Sequence, residues 1–363
     1  MDDLLQIKDL HVGFDSRAGR VEAVCGVSFR VRAGSCVAVV GESGSGKSVC
    51  AQAVMGILPR NASIASGSIL FRDPKTEIIT DLAVLNTRSE EYRTIRGGRI
   101  SIIFQEPMTS LSPLHTVGDQ ITEALRLHEG LSGDAAKARC IDILTLVRFP
   151  DPVRAYKTYS FELSGGLRQR AMIAMALVCG PALLIADEPS TALDVTVQAQ
   201  ILGLIKDLQK ELGMAVLMIT HDMGVVANVA DEVVVVYHGE VMESGMVDDI
   251  FRKPGHPYLQ ALLRAVPKFE YAEGERLIPL REIKPHRGHL LKSRDTSVGI
   301  DNTKPILEVN NLSKSFTIRS EGMGGVGKSV LKIKAVDHVS FDVARGECLA
   351  IVGESGCGKT TVS

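Results

Sequence analysis

Residues 41–48 read GESGSGKS and follow directly on the apolar run CVAVV, Cys36–Val40. No other feature constrains the fold as much. The spacing G-x-x-x-x-G-K-[ST] needs a buried strand, a tight glycine turn and a helix beginning at the lysine. The turn's backbone N–H groups and the helix N-terminus then form one anion-binding concavity. Glycines let that backbone curl around phosphate oxygens with no Cβ in the way. Gly41, Glu42, Ser43, Gly44, Ser45, Gly46, Lys47 and Ser48 are accordingly assigned to a nucleotide. Lys47 brings positive charge to the β- and γ-phosphates, and the Ser48 hydroxyl is a Mg²⁺ ligand.

The chain repeats this arrangement. LLQIKDLHVGF at 4–14 parallels ILEVNNLSKSF at 306–316, and the stretch 23–49 parallels 335–361 with sixteen of 27 positions identical. The offset grows from 302 to 312, so the second copy holds ten extra residues between its first two strands. Both copies read as short alternating strands, an apolar strand (CVAVV, CLAIV) and then the glycine loop. In the second copy that loop places Gly353, Gly358, Lys359 and Thr360 where the first has Gly41, Gly46, Lys47 and Ser48. Another match to the spacing, GMGGVGKS at 322–329, lies within the ten-residue insertion. It follows TIRSE and precedes the alternating VLKIKAV, so it reads as a flexible glycine loop without the strand and helix that the motif requires.

Between the copies, strand and helix patterns alternate up to about Pro267, which predicts a mostly parallel α/β sheet. Polar residues then dominate 268–305, read as a linker. Residues 1–267 are thus one complete domain and 306–363 the truncated start of a second. The 363 residues, 45% hydrophobic and 23% charged, are enough for a sizeable core. The formal charge of −2 gives no electrostatic case for a nucleic-acid partner. Seven cysteines stand singly, without a C-x-x-C pair, and read as reduced thiols. The longest apolar stretch, Ala171–Ala186, is interrupted by Gly180 and Pro181 and reads as a buried helix, a turn and a buried strand, not a membrane span.

Within the first copy, ALLIADEP at 182–189 is an apolar strand ending in two carboxylates. At the C-terminal edge of a parallel sheet such residues face the ligand crevice. Asp187 fits a Mg²⁺ partner acting through water, and Glu188 fits a base that orients and deprotonates an attacking water. A solvated turn is the alternative for two acids in this position, and pairing of the strand with a phosphate loop weakens it. Val117, Ile121 and Leu125 fall at i, i+4 and i+8 and give a helix with one apolar stripe.

LSGGLRQR at 163–170, together with GESGSGKS, LLIADEP, STALD and ITHD, resembles the ATP-binding cassette (ABC) ATPases over residues 4 to about 267, with all motifs in the family's order. The resemblance implies a P-loop NTPase of ABC type: a mostly parallel sheet core, an antiparallel β subdomain and a helical subdomain at roughly 105–165. It also implies roles for particular residues. Leu163, Ser164, Gly165 and Gly166 would form the signature loop, whose N–H groups bind the γ-phosphate of ATP held by a partner cassette. Gln105, in IIFQEP, would touch Mg²⁺ and water and sense the membrane subunit. His221, in ITHD, would contact the γ-phosphate and steady the water. Asp194, in STALD, would lie on the loop that meets the partner cassette, and Phe14 would stack on adenine. The helical subdomain would dock a coupling helix of the membrane subunit.

FQEPMTSLSPLHTVGDQI and GHPYLQALLRAVP look like dipeptide and oligopeptide importer ATPases, and the tandem layout looks like the double-length members of that branch. The resemblance then implies ATP and Mg²⁺ as cofactors and two integral-membrane permease subunits. It further implies a periplasmic substrate-binding protein acting indirectly, pairing with a second cassette (self or paralogue), and a peripheral location on the cytoplasmic face of the bacterial inner membrane. Half-length members often carry a cysteine cluster after HPY. Here no cysteine falls between Cys179 and Cys348, so an iron–sulfur cluster is not expected. Two other functions compete: a non-functional remnant of a tandem ATPase, and a soluble ABC ATPase acting on ribosomes or DNA. The second needs two complete cassettes or long coiled-coil insertions, which the sequence does not show. The 306–363 copy lacks Q-loop, signature, acidic strand and switch histidine, and about 58 residues bury little surface. It is expected to be poorly ordered and not to hydrolyse ATP.

Overall fold

The computed structural model describes residues 3–17, 19–105, 110–189, 194–265, 305–320, 329–353 and 357–363. The stretch 268–304 of the expected linker, most of the glycine loop at 322–329 and residues 190–193 of STALD lie outside them. The described residues gather into two compact units. The first takes those up to 189 and from 197 to 265, and the second takes 194–196 and 305–363.

In the first unit β1 (Asp3–Ser16) and β2 (Gly19–Arg32) form an antiparallel hairpin whose strands are each 14 residues long, not the short strands expected from the pattern. The apolar run gives β3 (Cys36–Val40), and helix α1 (Lys47–Met55) starts at the lysine. Next come β4 (Ala62–Arg72), β5 (Ile79–Asp81), α2 (Glu90–Ile95) and β6 (Ile100–Ile103). A helical layer follows: α3 (Val117–His128), α4 (Gly133–Leu146), α5 (Pro152–Tyr156) and α6 (Gly165–Leu177). Then come β7 (Leu183–Asp187), α7 (Val195–Leu212, in this unit from Val197 on), β8 (Ala215–Thr220), α8 (Met223–Val229), β9 (Glu232–Tyr237) and β10 (Glu240–Met246). Two short helices, α9 (Val247–Arg252) and α10 (Pro257–Arg264), close the unit.

The strands make two sheets. One is antiparallel, ordered β2-β1-β4-β5. The other is ordered β10-β9-β3-β8-β7-β6, with every pair parallel except β9–β10. Strand β3 therefore lies between two parallel neighbours, and its residues alternate between two cores. Val37 and Val39 pack with the antiparallel sheet and α1, whereas Cys36, Ala38 and Val40 pack with the helical layer. A strand covered on both faces is apolar throughout, which is why CVAVV shows no alternation. In α3 the predicted stripe of Val117, Ile121 and Leu125 is buried, and Thr116 caps the helix with a reciprocal Asp119 bond.

The second unit contains β11 (Leu307–Ser320) paired antiparallel with β12 (Ser329–Val343), and a short helix α11 (Lys359–Val362). The expected apolar strand CLAIV is not formed. Residues 348–352 join no ladder, and Leu349, Ile351 and Val352 are exposed. The sequence matches β3 in pattern, but the described residues of this unit hold no counterparts of β8 and β9 to pair with it. A central strand is a property of its neighbours as much as of its own residues.

Candidate nucleotide site

Four adjacent strands deliver the site. Gly41 follows the end of β3, Gln105 lies just past β6, Asp187 ends β7 with Glu188 next, and His221 follows β8. The parallel register pairs Val40 with Thr220, Asp187 with Ile219 and Ile103 with Ala186, so these strand ends are nearly level. All lie at the C-terminal edge of the sheet, where open α/β sheets bind ligands.

The loop itself is shaped by close approaches. A Cβ on Gly41 would sit 2.0 Å from the Val236 carbonyl oxygen, and one on Gly46 would sit 2.4 Å from that of Ala23. Gly46 also has φ of 97° as the residue capping α1, a left-handed conformation that glycine adopts freely. Lys47 is buried, and its ammonium donates to the carbonyl oxygens of Gly41 at 2.8 Å and Glu42 at 2.7 Å. Burial pulls the Lys47 pKa below the ordinary lysine value, opposed by the negative charges of Glu188, Asp187 and Glu42. The Ser48 hydroxyl donates to Asp187 Oδ1 at 2.9 Å. Burial pushes the Asp187 carboxyl up, with the Ser48 bond acting against it.

Glu188 is the hub of the second half. Its Oε2 accepts from Gln105 Nε2 at 2.9 Å, and its Oε1 lies 3.0 Å from His221 Nδ1. Its own N–H donates to Ile219 O at 2.9 Å, continuing the β7–β8 ladder, and its φ is 46°. A left-handed glutamate costs on the order of 1–3 kcal/mol and persists where the surroundings over-determine it. Here a ladder bond and two side-chain contacts do so.

The other sequence-predicted residues stand apart from this cluster. Leu163 is buried, and Ser164 caps α6 without a side-chain bond to the helix. Ser164 and Gly165 are exposed and Gly166 is half-buried, so the first turn of a 13-residue helix opens outward. An anion brought by another cassette would meet N–H groups there. Phe14 is half-buried near the end of β1, on a hairpin that passes the loop at Ala23. Asp194 immediately precedes α7 and belongs to the second unit. In that unit the described ends of the second glycine loop, Gly353 and 357–360, match those of the first. Gly358 caps α11 with φ of 98°, its Cβ would meet Ala335 O at 2.2 Å, and Lys359 donates to Gly353 O at 2.6 Å. Thr360 follows in α11.

Sequence reasoning missed two supports. Arg99 donates through Nε to Asp73 Oδ1 at 2.9 Å, tying the loop before β6 to the segment after β4. Tyr258 Oη accepts the Glu42 N–H at 3.2 Å. Only the HPY run hinted at the second, and nothing in the pattern hinted at the first.

Glu188 is held beside the phosphate loop from both flanking strands, where a base could reach water attacking a bound phosphate. Together with the outward start of α6, this is the layout of a nucleotide-hydrolysing cassette. The model of the family described as ABC transporter matches residues 24–191 and 336–363, more than half of the chain, and the chain belongs to that family. Curated relatives include the glutathione import ATP-binding protein GsiA of Salmonella typhi, 46% identical over 99% of this chain and 57% of the relative. GsiA of Escherichia coli (strain K12) is 44% identical with the same coverage. The chain thus spans 57% of the length of these relatives. Among solved structures, the ATP-binding cassette MJ0796, dimeric and bound to ADP and Pi, aligns with a TM-score of 0.58 at 25% identity, covering 67% of this chain and 98% of that one. The cbiO1 structure from Clostridium perfringens aligns with a TM-score of 0.58 at 27% identity, covering 70% of this chain and 92% of that one.

Proposed function

We propose that this chain is the ATP-binding and ATP-hydrolysing subunit of a bacterial ABC importer for small peptides of the glutathione type. The observation that carries the hydrolytic part is the placement of Glu188, between Gln105 and His221 and next in sequence to the aspartate that holds Ser48. The similarity to glutathione import proteins along 99% of the chain supports the transport part.

ATP would lie with its phosphates on the loop 41–48. Lys47, now bonded to two loop carbonyls, has in phosphate a stronger acceptor. Ser48 in the first turn of α1, and Asp187 and Gln105 at the ends of the adjacent strands β7 and β6, offer oxygen donors, a set that would fit Mg²⁺, a hard cation. Bound there, Mg²⁺ supplies charge neutralisation at the β- and γ-phosphates. Glu188 takes the proton of the attacking water, and His221 holds the glutamate and faces the γ-phosphate. Phe14 stacks on adenine. Ser164, Gly165 and Gly166 act on ATP held by another cassette, with Asp194 at that junction, so turnover needs two cassettes head to tail. Residues 1–267 act as the working cassette, and 306–363, with Gly353, Gly358, Lys359 and Thr360, hold no working site by themselves.

The partners are two integral-membrane permease subunits and, through them, a periplasmic substrate-binding protein. The chain sits peripherally on the cytoplasmic face of the inner membrane. Among the described residues no helix is long and apolar enough to cross a membrane. The test is Glu188→Gln. The carboxamide keeps an acceptor and gains a donor but loses the base, so ATP binding persists while phosphate release falls about 10²- to 10⁴-fold. Unchanged phosphate release removes Glu188 as the base. Complementation of a peptide-uptake mutant tests the transport assignment.

A further inference from the structure

GHPYLQALL marks a branch of the family but takes no part in the chemistry above. The structure gives it a mechanical place. His256 caps α10, its Nδ1 accepting the Tyr258 N–H at 3.1 Å, and Pro257 occupies the first turn. The cap is held from β10, where the Glu243 carboxylate accepts the N–H groups of Gly255 at 3.0 Å and His256 at 2.7 Å. Bonds to an ionised acceptor are stronger than neutral ones. The start of α10 therefore has a fixed position, and Tyr258 lies in its first turn. The ring of Tyr258 packs on Tyr237, centroids 4.3 Å apart and planes at 31°. With two rotatable bonds and one face covered, its phenol oxygen has little freedom.

That oxygen accepts the Glu42 N–H at 3.2 Å. The N–H belongs to the same peptide group as the Gly41 carbonyl, which accepts from Lys47 Nζ at 2.8 Å. The two ends of a trans peptide point in opposite directions and turn together, because the group is planar. One peptide is thus held at its N–H by Tyr258 and at its oxygen by the lysine that serves phosphate. Neighbouring residues fix the rest of the loop: Val236 lies under Gly41, and the Gly239 N–H donates to Ser45 O at 3.1 Å. Those two come from β9 and the turn that follows it. Tyr258 comes instead from α10, the last helix of the unit among the described residues.

We propose that Tyr258 is a positioning residue for the nucleotide loop. It sets the plane of the Gly41–Glu42 peptide, and through the Gly41 carbonyl the place of the Lys47 ammonium. It also ties ATP affinity to the position of α10. The proposal rests on the reading of residues 41–48 as the ATP site.

The experiment compares the full chain and its Tyr258→Phe variant in ATP binding by calorimetry, in phosphate release against ATP concentration, and in thermal unfolding. Removing one hydroxyl frees the peptide but leaves Glu188 and His221 in place. The expected result is a rise of about three- to tenfold in Kd and KM for ATP, the scale of one lost hydrogen bond, with kcat within about twofold and Tm nearly constant. Glu243→Gln, which weakens the clamp on α10 without touching the loop, should move KM in the same direction by less. Equal KM in wild type and Tyr258→Phe overturns the proposal alone. So does a fall in kcat or Tm without the KM shift, which a merely structural tyrosine would give. A wild-type chain that binds no ATP overturns the site reading and the proposal with it.

Discussion

Replacing Gly46 by alanine would place a methyl carbon 2.4 Å from the Ala23 carbonyl oxygen, whereas at Gly44 nothing lies within 4 Å. Both glycines have left-handed backbones, φ of 97° and 80°. The two variants therefore share one cost and differ in another. The shared cost, a Cβ in the left-handed region, is about 1–2 kcal/mol. The second applies only to Gly46→Ala. Contacts under 3.0 Å essentially do not occur for real Cβ atoms, so Ala23 must retreat by about 0.6 Å. Ala23 belongs to β2 and sits where the pairing with β1 shifts register, but its neighbours Glu22 and Val24 are paired with Gly13 and Val12, and Val24 is wholly buried. Forcing such a packed strand to move costs about 1–3 kcal/mol. For a unit of this size 1 kcal/mol shifts Tm by about 2–4 °C. Gly44→Ala should lower Tm by a few degrees, and Gly46→Ala by roughly a further 4–8 °C at the middle of the range. Thermal unfolding of the full chain without nucleotide, followed by circular dichroism, makes the comparison. Equal Tm values for the two variants would refute the argument that the Ala23 approach limits position 46.

Asp187→Asn keeps an acceptor for Ser48 but removes a carboxylate whose pKa burial raises. It should raise stability by on the order of 1 kcal/mol while cutting phosphate release about 10- to 100-fold. Because the folded-state pKa lies above the unfolded one, wild-type stability falls as pH rises through the window between them, starting near 3.8, and the advantage of the variant grows over the same window. Arg99→Ala leaves the half-buried Asp73 carboxylate without its guanidinium and should cost about 1–2 kcal/mol in urea unfolding, between the values for exposed and buried pairs. Burial pushes the Asp73 carboxyl up but its hydrogen bonds, led by Arg99, pull it down further. The contribution of the pair is therefore present above the unfolded value of 3.8 and lost as pH falls through the depressed one. The β11–β12 hairpin, a two-stranded ladder, should exchange its amides quickly across 306–363, since such ladders are marginal in water. Strong protection there would overturn the expectation.

What the sequence made legible is what chemistry requires to be contiguous. The loop 41–48 needs its strand and helix beside it, and both formed at the expected residues. The apolar run ending in Asp187 and Glu188 is a strand for the same reason, and the Val117, Ile121, Leu125 spacing found its helix because a stripe is a local record of burial. Illegible were contacts made by the order of strands in space. Gln105 and His221 meet on Glu188 only because β6, β7 and β8 are neighbours. Tyr258 reaches Glu42 from 216 residues away. CLAIV misled for a related cause: the described residues of its unit offer it no partner strands like β8 and β9.

That same resemblance has a consequence for how the chain reaches its native state. The slot between β8 and β9 accepts a five-residue apolar strand followed by a glycine loop, and the chain makes two candidates for it. The first candidate and both its partner strands are made once Tyr237 has emerged, 111 residues before Cys348, a lead of about 6–22 s at ordinary ribosomal rates. Refolding from denaturant removes that head start, since both segments are released together. If timing matters in this way, refolding of the full chain from denaturant should give a lower yield of native sheet than refolding of a variant with Leu349 and Ile351 replaced by serine.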